Sequence, residues 1–109
     1  MTADESLAFL GSRTHAVLAT VGVDGAPDAS LVDCRVEGNA VVVRGLDDRA
    51  HTAIRHDARI AVAVEQCPSY YEIRGMSAHG HAEDRGTADY ALPLTDVVAF
   101  DFAKIRERP

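Results

Sequence analysis

Residues 16–45, AVLATVGVDGAPDASLVDCRVEGNAVVVRG, contain three runs rich in valine and alanine, and two turn signals separate these runs. The first signal is Asp24-Gly25, a pair that favours a hairpin turn, and Pro27 opens the next run. The second signal lies at residues 37–39, where glycine and asparagine favour a tight turn. The stretch therefore predicts three antiparallel strands joined as a meander.

Beyond Gly45 the apolar residues change from the spacing of a strand to the spacing of a helix. The apolar positions between residues 47 and 57 are three or four apart, at Ala50, Ala53 and Ile54. Two aspartates begin this segment, which suits the N-terminus of a helix. At the start of the chain, Thr2 and Glu5 have the spacing of a capping box, and Gly11 follows as a stop signal. The sequence therefore predicts two short helices.

The rest of the chain returns to strand character. Three further strands are predicted, at residues 59–66, 69–83 and 96–105. The second of these is long enough to need a bulge or bend near Gly75 or Gly80. Between the last two strands, residues 87–92 predict a weak helical turn that Pro93 breaks. We therefore expect a mainly β fold, a six-stranded antiparallel barrel, closed or nearly closed, with short helices at its ends.

Length and charge limit the functions that this barrel can have. The 109 residues fit a single domain spanning residues 1–109, and the formal net charge is -6. Seventeen acidic residues are interspersed with eleven basic ones, which argues against a nucleic-acid-binding face, so any bound anion should be small. No run reaches the roughly 18 apolar residues of a membrane span, and the N-terminus does not resemble a secretory signal. We expect a cytoplasmic protein.

Motifs for metal binding and nucleophilic catalysis are weak in this sequence. Cys34 and Cys67 do not form a C-x-x-C pair, and two buried, reduced thiols are the simpler interpretation. His79 and His81 share one face of a strand, but the sequence specifies no third ligand, so no metal site is predicted. No serine lies in a G-x-S-x-G elbow. We therefore assign no catalytic residue.

Several phrases in this order resemble the pyridoxamine 5'-phosphate oxidase-like family of FMN-binding split β-barrels. They are FLGSRTHAVLATVGVDGAPDASLV, NAVVVRG, DDRAHTAIRHDARIAVAVE and YYEIRGMSAHGHAED, which together extend from about Phe9 to Phe102. The resemblance implies a homodimer in which two barrels pack side by side, with two cofactor sites in clefts that both subunits line. It implies FMN as the usual cofactor, with a deazaflavin coenzyme or haem in related branches.

The resemblance also implies which residues bind the cofactor. The backbone of the second strand would contact the flavin ring, at Ala29, Ser30, Leu31 and Val32. Arg49 falls at the arginine of a family Ser-Arg-Lys motif and is the first candidate for the phosphate, because guanidinium groups and helix N-termini both bind phosphate well. Arg44 is the second candidate. His51 lies beside this site, and Arg74 matches a family Arg-Gly pair that contacts the ligand or crosses the dimer interface.

Three positions depart from the family pattern and keep other functions open. Asp48 and Ala50 stand where the family has serine and lysine, and Asp33 stands where many flavin-binding members have a basic or aromatic residue. We expect a flavin-binding oxidoreductase-like protein whose substrate the sequence does not identify. One alternative is a binding module that holds a flavin, deazaflavin or haem without turnover. The other is a dimeric scaffold that has lost its cofactor.

Overall fold

A computed structural model describes residues 3–66 and 74–101 of the chain. Two helices and eight strands follow one another in the described residues: α1 (Ala3–Gly11), β1 (His15–Val21), β2 (Pro27–Glu37), β3 (Ala40–Arg44), α2 (Asp48–His56), β4 (Arg59–Gln66), β5 (Arg74–His81), β6 (Glu83–Asp84), β7 (Tyr90–Pro93) and β8 (Val97–Asp101). The meander over residues 16–45 and the helix that follows it are confirmed. In the described residues, no helix is long and apolar enough to cross a bilayer.

The strands form one antiparallel sheet in the order β6-β7-β3-β2-β1-β4-β5-β8. The sheet curls into a half-barrel, and its two arms approach each other where β5 lies near β7. A Cβ added to Gly80 of β5 would lie 3.0 Å from Cδ1 of Leu92 in β7. Glycine at this position therefore allows the close approach.

Turn chemistry joins the first three strands as the sequence predicts. Gly25 has φ +83°, a left-handed conformation that glycine adopts without strain, and Asp24 Oδ1 accepts a hydrogen bond from the Ala26 N–H at 3.0 Å. The Gly22 N–H donates to the Ala26 carbonyl at 2.8 Å, which closes the β1–β2 hairpin. Gly38 has φ +59° at the β2–β3 turn. Local sequence thus determines both turns.

Buried and exposed side chains alternate along the strands, so one face of the sheet is buried and the other is exposed. In β1, Ala16, Leu18 and Thr20 are buried, whereas Val17 between them is 45% exposed. The buried faces of the strands pack with the apolar sides of both helices. The main core side chains are Phe9, Leu10, Leu18, Val32, Val41, Val43, Ile54, Ile60, Val62, Val64, Met76, Tyr90 and Leu92.

Helix α2 packs on this core through one apolar side. Ala50, Ala53 and Ile54 are buried, as their spacing predicts. Asp47 caps the helix, because its Oδ1 accepts a hydrogen bond from the Ala50 N–H at 2.8 Å. At the other end, the Asp57 N–H donates to the Ala53 carbonyl at 2.8 Å. The cap and the buried side fix the direction in which the exposed side chains of α2 point.

The prediction of six strands is wrong, because β6 and β7 are additional strands. Residues 87–92 do not form a helical turn: Tyr90 to Pro93 lie in β7, which pairs with β3. Pairing with β3 supplies hydrogen-bond partners that local propensity does not reveal. The predicted strand at residues 69–83 breaks at Ala82, and β6 pairs with β7. Its first part, residues 69–73, and the end of the last predicted strand, residues 102–105, lie outside the described residues.

The cap of α2 yields a stability prediction. Asp47→Ala removes the acceptor of the Ala50 N–H, and we expect the free energy of unfolding to fall by about 1 kcal/mol. Asp47→Asn keeps an acceptor oxygen while removing the charge, so it should retain most of the stability. Urea denaturation of the two variants and the wild-type protein measures the difference. An Asp47→Ala variant as stable as wild type would contradict the role of the cap.

Candidate functional site

Two grooves flank the exposed side of helix α2. The first, which we call the hairpin groove, has a volume of about 580 Å³ and lies between the β1–β2 hairpin and the start of α2. The hairpin contributes residues 22–24 and 26–28, and the helix contributes Asp48, Arg49, Thr52 and Ala53. The hairpin groove therefore forms where the meander and the predicted phosphate-binding segment meet.

The second groove, which we call the tyrosine groove, lies between α2 and the β6–β7 segment. Its volume is about 590 Å³, and its lining residues are Asp48, His51, Thr52, Arg55, Asp84, Gly86, Ala88 and Tyr90. Asp48 and Thr52 also line the hairpin groove, so the two grooves adjoin on the exposed side of the helix.

Arg49 extends from the first turn of α2 along the hairpin groove. Its side chain is 80% exposed, and its Nε lies 3.2 Å from Oδ2 of Asp28 in β2. An ion pair this exposed contributes little to stability, so a bound anion can replace the Asp28 carboxylate as the partner. The structure thus places the first phosphate candidate at a groove.

The charge of the hairpin groove is nonetheless acidic. Among the described residues, the charged side chains that line it are three aspartates, Asp24, Asp28 and Asp48, and one arginine, Arg49. Ala50, where the family has a lysine, is 2% exposed and packs into the core, so it does not line the groove. A phosphate in this groove would therefore meet one guanidinium and several carboxylates of the same chain.

The other predicted cations lie elsewhere. Arg44, at the end of β3, lines neither groove, and its Nη2 is 3.9 Å from Oδ2 of Asp89. The guanidinium of Arg74 stacks 5.1 Å from the centre of the Phe9 ring of α1. Arg74 begins β5 and pairs with Gln66 at the end of β4. The structure therefore does not bring Arg44 or Arg74 to Arg49.

The predicted ring-contacting residues of β2 divide between the two faces of the sheet. Leu31 is 70% exposed and Ala29 is also exposed, whereas Val32 is buried in the core and Ser30 is half-buried. None of these four residues lines the hairpin groove, which reaches β2 only at its first two residues. Their role in cofactor binding stays a prediction.

His51, the remaining candidate, lies in the tyrosine groove and contacts a residue that the sequence analysis did not identify. Its Nδ1 is 3.1 Å from the hydroxyl of Tyr90, and the two rings are tilted with their centres 5.5 Å apart. Tyr90 was missed because its segment was predicted as a helical turn. Burial raises the pKa of the Tyr90 hydroxyl, and the Asp84 carboxylate raises it further, whereas Arg55 lowers it. Tyr90 is thus a neutral phenol near pH 7.

Nucleophile and metal chemistry find little support in the described part of the chain. Cys34 is a buried free thiol, and burial together with the Asp33 carboxylate raises its pKa, which disfavours the reactive thiolate. Cys67 lies outside the described residues. Within residues 3–66 and 74–101, no three histidine, cysteine or acidic side chains gather as a metal-binding group.

Comparisons with known proteins identify the fold. No protein-family model and no curated protein matches the chain. It is similar to the crystal structure of the conserved hypothetical protein Rv2991 from Mycobacterium tuberculosis, with a TM-score of 0.83 and 19% identity, over 100% of this chain and 90% of that one. A FAD-binding protein from Mesorhizobium loti has a TM-score of 0.79 and 12% identity, over 91% of this chain and 92% of that one.

Further solved structures share this fold. A FAD-binding protein from Mycobacterium smegmatis has a TM-score of 0.72 and 17% identity, over 94% of this chain and 95% of that one. An F420 reductase and a haem-binding protein from Mycobacterium smegmatis also share the fold. At these identities the likeness shows the fold alone, and this chain therefore has a split-barrel fold that flavin-binding and haem-binding proteins use.

The geometry around Tyr90 yields a titration prediction. The tyrosinate titration of the wild-type protein minus that of the Tyr90→Phe variant isolates the titration of Tyr90. We expect this difference to show a pKa above the ordinary tyrosine value of about 10. Below the pKa that Tyr90 has in the unfolded chain, its hydroxyl should make its full contribution to the free energy of unfolding. This contribution should be lost as the pH rises through the higher pKa that Tyr90 has in the folded protein. Asp84→Asn should move the pKa of Tyr90 back toward 10. An unshifted Tyr90 would contradict the burial of its hydroxyl.

Proposed function

We propose that this chain is a homodimeric flavin-binding protein of oxidoreductase type, with FMN as its cofactor. The observation that carries the proposal is Arg49, an exposed guanidinium at the start of α2 that lies along a groove of about 580 Å³. The family resemblance assigns the flavin phosphate to this helix start. Two FAD-binding proteins with the same fold add support for a flavin.

The hairpin groove offers donor groups to a phosphate, although the Asp47 carboxylate already accepts the Ala50 N–H at the start of α2. The first turn of an α-helix presents backbone N–H groups and the positive end of the helix dipole, and α2 begins at the groove. Arg49 adds charge-assisted hydrogen bonds once it leaves Asp28. Asp28 and Asp48 weaken the site without removing these donors. The proposal therefore assigns phosphate binding to Arg49 and the start of α2, and Arg44 is the second candidate.

A bound flavin would supply the electron-transfer chemistry. This chain would bind the phosphate and orient the ring, for which the resemblance implies the backbone of residues 29–32. The groove side chains include no group that we assign as a catalytic acid or base. The proposal therefore identifies a cofactor and a reaction class without a substrate.

A cofactor-free dimeric scaffold is the second candidate, and the acidic lining of the hairpin groove favours it. Three aspartates surround the one arginine of this groove, which lowers the affinity for a dianionic phosphate. The visible spectrum of the purified protein separates the candidates: a flavin absorption band supports FMN, a Soret band supports haem, and a colourless protein that FMN and deazaflavin do not colour supports the scaffold.

The outer face of the sheet supports the homodimer. Five residues lie opposite one another in a row across five strands: Leu31, Val17, Ala63, Ser77 and Val98. Leu31 is 70% exposed and Val98 is 62% exposed. Four of these five residues are apolar, and an exposed row of this kind on a sheet face is typical of an interaction surface. The resemblance implies a homodimer, and in the proposal a second copy of the chain covers this row.

The role of Arg49 is tested with two ligands that differ only in the phosphate. Arg49→Ala should weaken FMN binding about 10-fold to 100-fold, since a hydrogen bond to a charged group contributes roughly 1.5–3 kcal/mol. The same variant should bind riboflavin, which has no phosphate, as the wild-type protein does. Isothermal titration calorimetry measures both affinities.

Arg35→Ala is the matched control for this experiment. Arg35 is an exposed arginine that pairs with Glu37 and lines neither groove, so its loss should leave FMN binding unchanged. An Arg49→Ala variant that keeps wild-type affinity for FMN would contradict the assignment of the phosphate site.

The proposed dimer is tested on the outer face. Leu31→Lys places a charge in the row of the proposed interface, and we expect analytical ultracentrifugation to show a shift from dimer to monomer. Leu7→Lys changes another exposed leucine, on α1 and outside the row, and should leave the dimer intact. A wild-type protein that sediments as a monomer would overturn this part of the proposal.

A further inference from the structure

The tyrosine groove contains charged side chains that do not pair with one another. Within residues 3–66 and 74–101, the charged side chains that line it are Asp48, Arg55 and Asp84. No ion pair in this part of the chain joins any two of them. Asp84 accepts a hydrogen bond from the Gly86 N–H at 2.7 Å, which holds its carboxylate on the β6 side of the groove. Charges of both signs therefore face the groove without neutralising each other.

Two of these charges lie along one side of helix α2. Asp48 and Arg55 are seven residues apart, which is close to two full turns, so their Cα atoms are about 10 Å apart along the helix axis. His51 and Thr52 lie between them on the same side and also line the groove. The groove thus has a negative end at the start of α2 and a positive end at its last turn.

The third charge, Asp84, acts on the same buried hydroxyl as Arg55. Burial raises the pKa of the Tyr90 hydroxyl, the Asp84 carboxylate raises it further, and the Arg55 guanidinium lowers it. Tyr90 is 5% exposed, and its hydroxyl is 3.1 Å from Nδ1 of His51, so its position is fixed. A carboxylate and a guanidinium thus lie near one phenol without contacting each other. This spacing suits a ligand that carries opposite charges on neighbouring groups.

From this arrangement of charges we infer that the tyrosine groove binds an α-amino acid with a basic side chain, of the lysine type. Arg55 binds the α-carboxylate through paired, charge-assisted hydrogen bonds, and Asp84 binds the α-ammonium. The side chain extends along α2 past Thr52, and its cationic end pairs with Asp48. The inference goes beyond the proposed function, because this site requires no bound flavin.

The net charge of the groove selects this ligand. With His51 neutral, two carboxylates and one guanidinium give the groove a net charge of -1, and a basic amino acid has the complementary charge. A neutral amino acid would leave Asp48 without a partner. A phosphate or an acidic amino acid would bring further negative charge to Asp48 and Asp84. The flexible four-carbon stem of lysine lets its ammonium reach Asp48 while the α-carboxylate stays at Arg55.

Three related ligands test the inference in NMR titrations at constant ionic strength. L-lysine should bind with a Kd below about 1 mM. L-norleucine lacks the side-chain ammonium, and cadaverine lacks the α-carboxylate. Each should bind about tenfold more weakly than lysine, because each loses one charge-assisted contact.

Substitutions assign each contact to a residue. Asp48→Asn should weaken lysine about tenfold and leave norleucine within twofold of wild type, since norleucine has no group for Asp48. Arg55→Gln should weaken lysine and norleucine by the same factor and leave cadaverine within twofold. Both residues are exposed, so neither change should affect folding, which circular dichroism checks. Arg35→Ala, outside both grooves, should change the affinity for none of the three ligands.

The outcomes separate this inference from the proposed function. If lysine does not bind, or if norleucine or cadaverine binds as tightly as lysine, the inference is overturned. An Asp48→Asn variant that weakens lysine and norleucine equally also overturns it, because the side-chain cation then has another partner. FMN binding is measured in separate titrations, so none of these results affects the proposed flavin site.

Discussion

The attachment of helix α2 to the sheet is the constraint on which both grooves depend. Ala50, Ala53 and Ile54 bury one side of the helix, and the Asp47 cap fixes where it begins. Because an α-helix turns through a fixed angle per residue, the opposite side must then present Arg49, Thr52 and the residues around them to solvent. The helix separates the β1–β2 hairpin from the β6–β7 segment and forms one wall of each groove.

Small side chains make this attachment close. Alanine at positions 50 and 53 lets the helix backbone lie near the sheet, whereas a long cationic side chain at position 50 would have to leave the core to reach the groove. Ala50, where the family that the sequence resembles has a lysine, thus affects the packing of the helix as well as the charge available to a ligand. At the same time, three aspartates around Arg49 make the phosphate side of the hairpin groove acidic. The affinity for a cofactor depends on the balance between one guanidinium with a helix N-terminus and these carboxylates.

The molecule has two surfaces of different character. Apolar residues are exposed on the outer face of the sheet, and polar residues line the grooves around α2. The row from Leu31 to Val98 follows from strand register, because directly opposed residues in antiparallel strands point to the same face. The grooves around α2 contain Arg49, His51 and Arg55, which can contact an anion. In the proposed dimer the first surface lies at the interface, and the second binds the phosphate of a cofactor whose cleft both subunits line.

The sequence by itself determined the meander and helix α2. Asp24-Gly25, Gly38 and the spacing of Ala50, Ala53 and Ile54 act over a few residues, so these turns and this helix can be predicted from local sequence. Tertiary structure decided that Tyr90 lies in a strand, because β7 pairs with β3, about fifty residues earlier in the chain, as well as with the short strand β6. It also decided that Arg49 lies at a groove while Arg44 and Arg74 pair elsewhere, since the position of a charge relative to others depends on contacts that are distant in sequence.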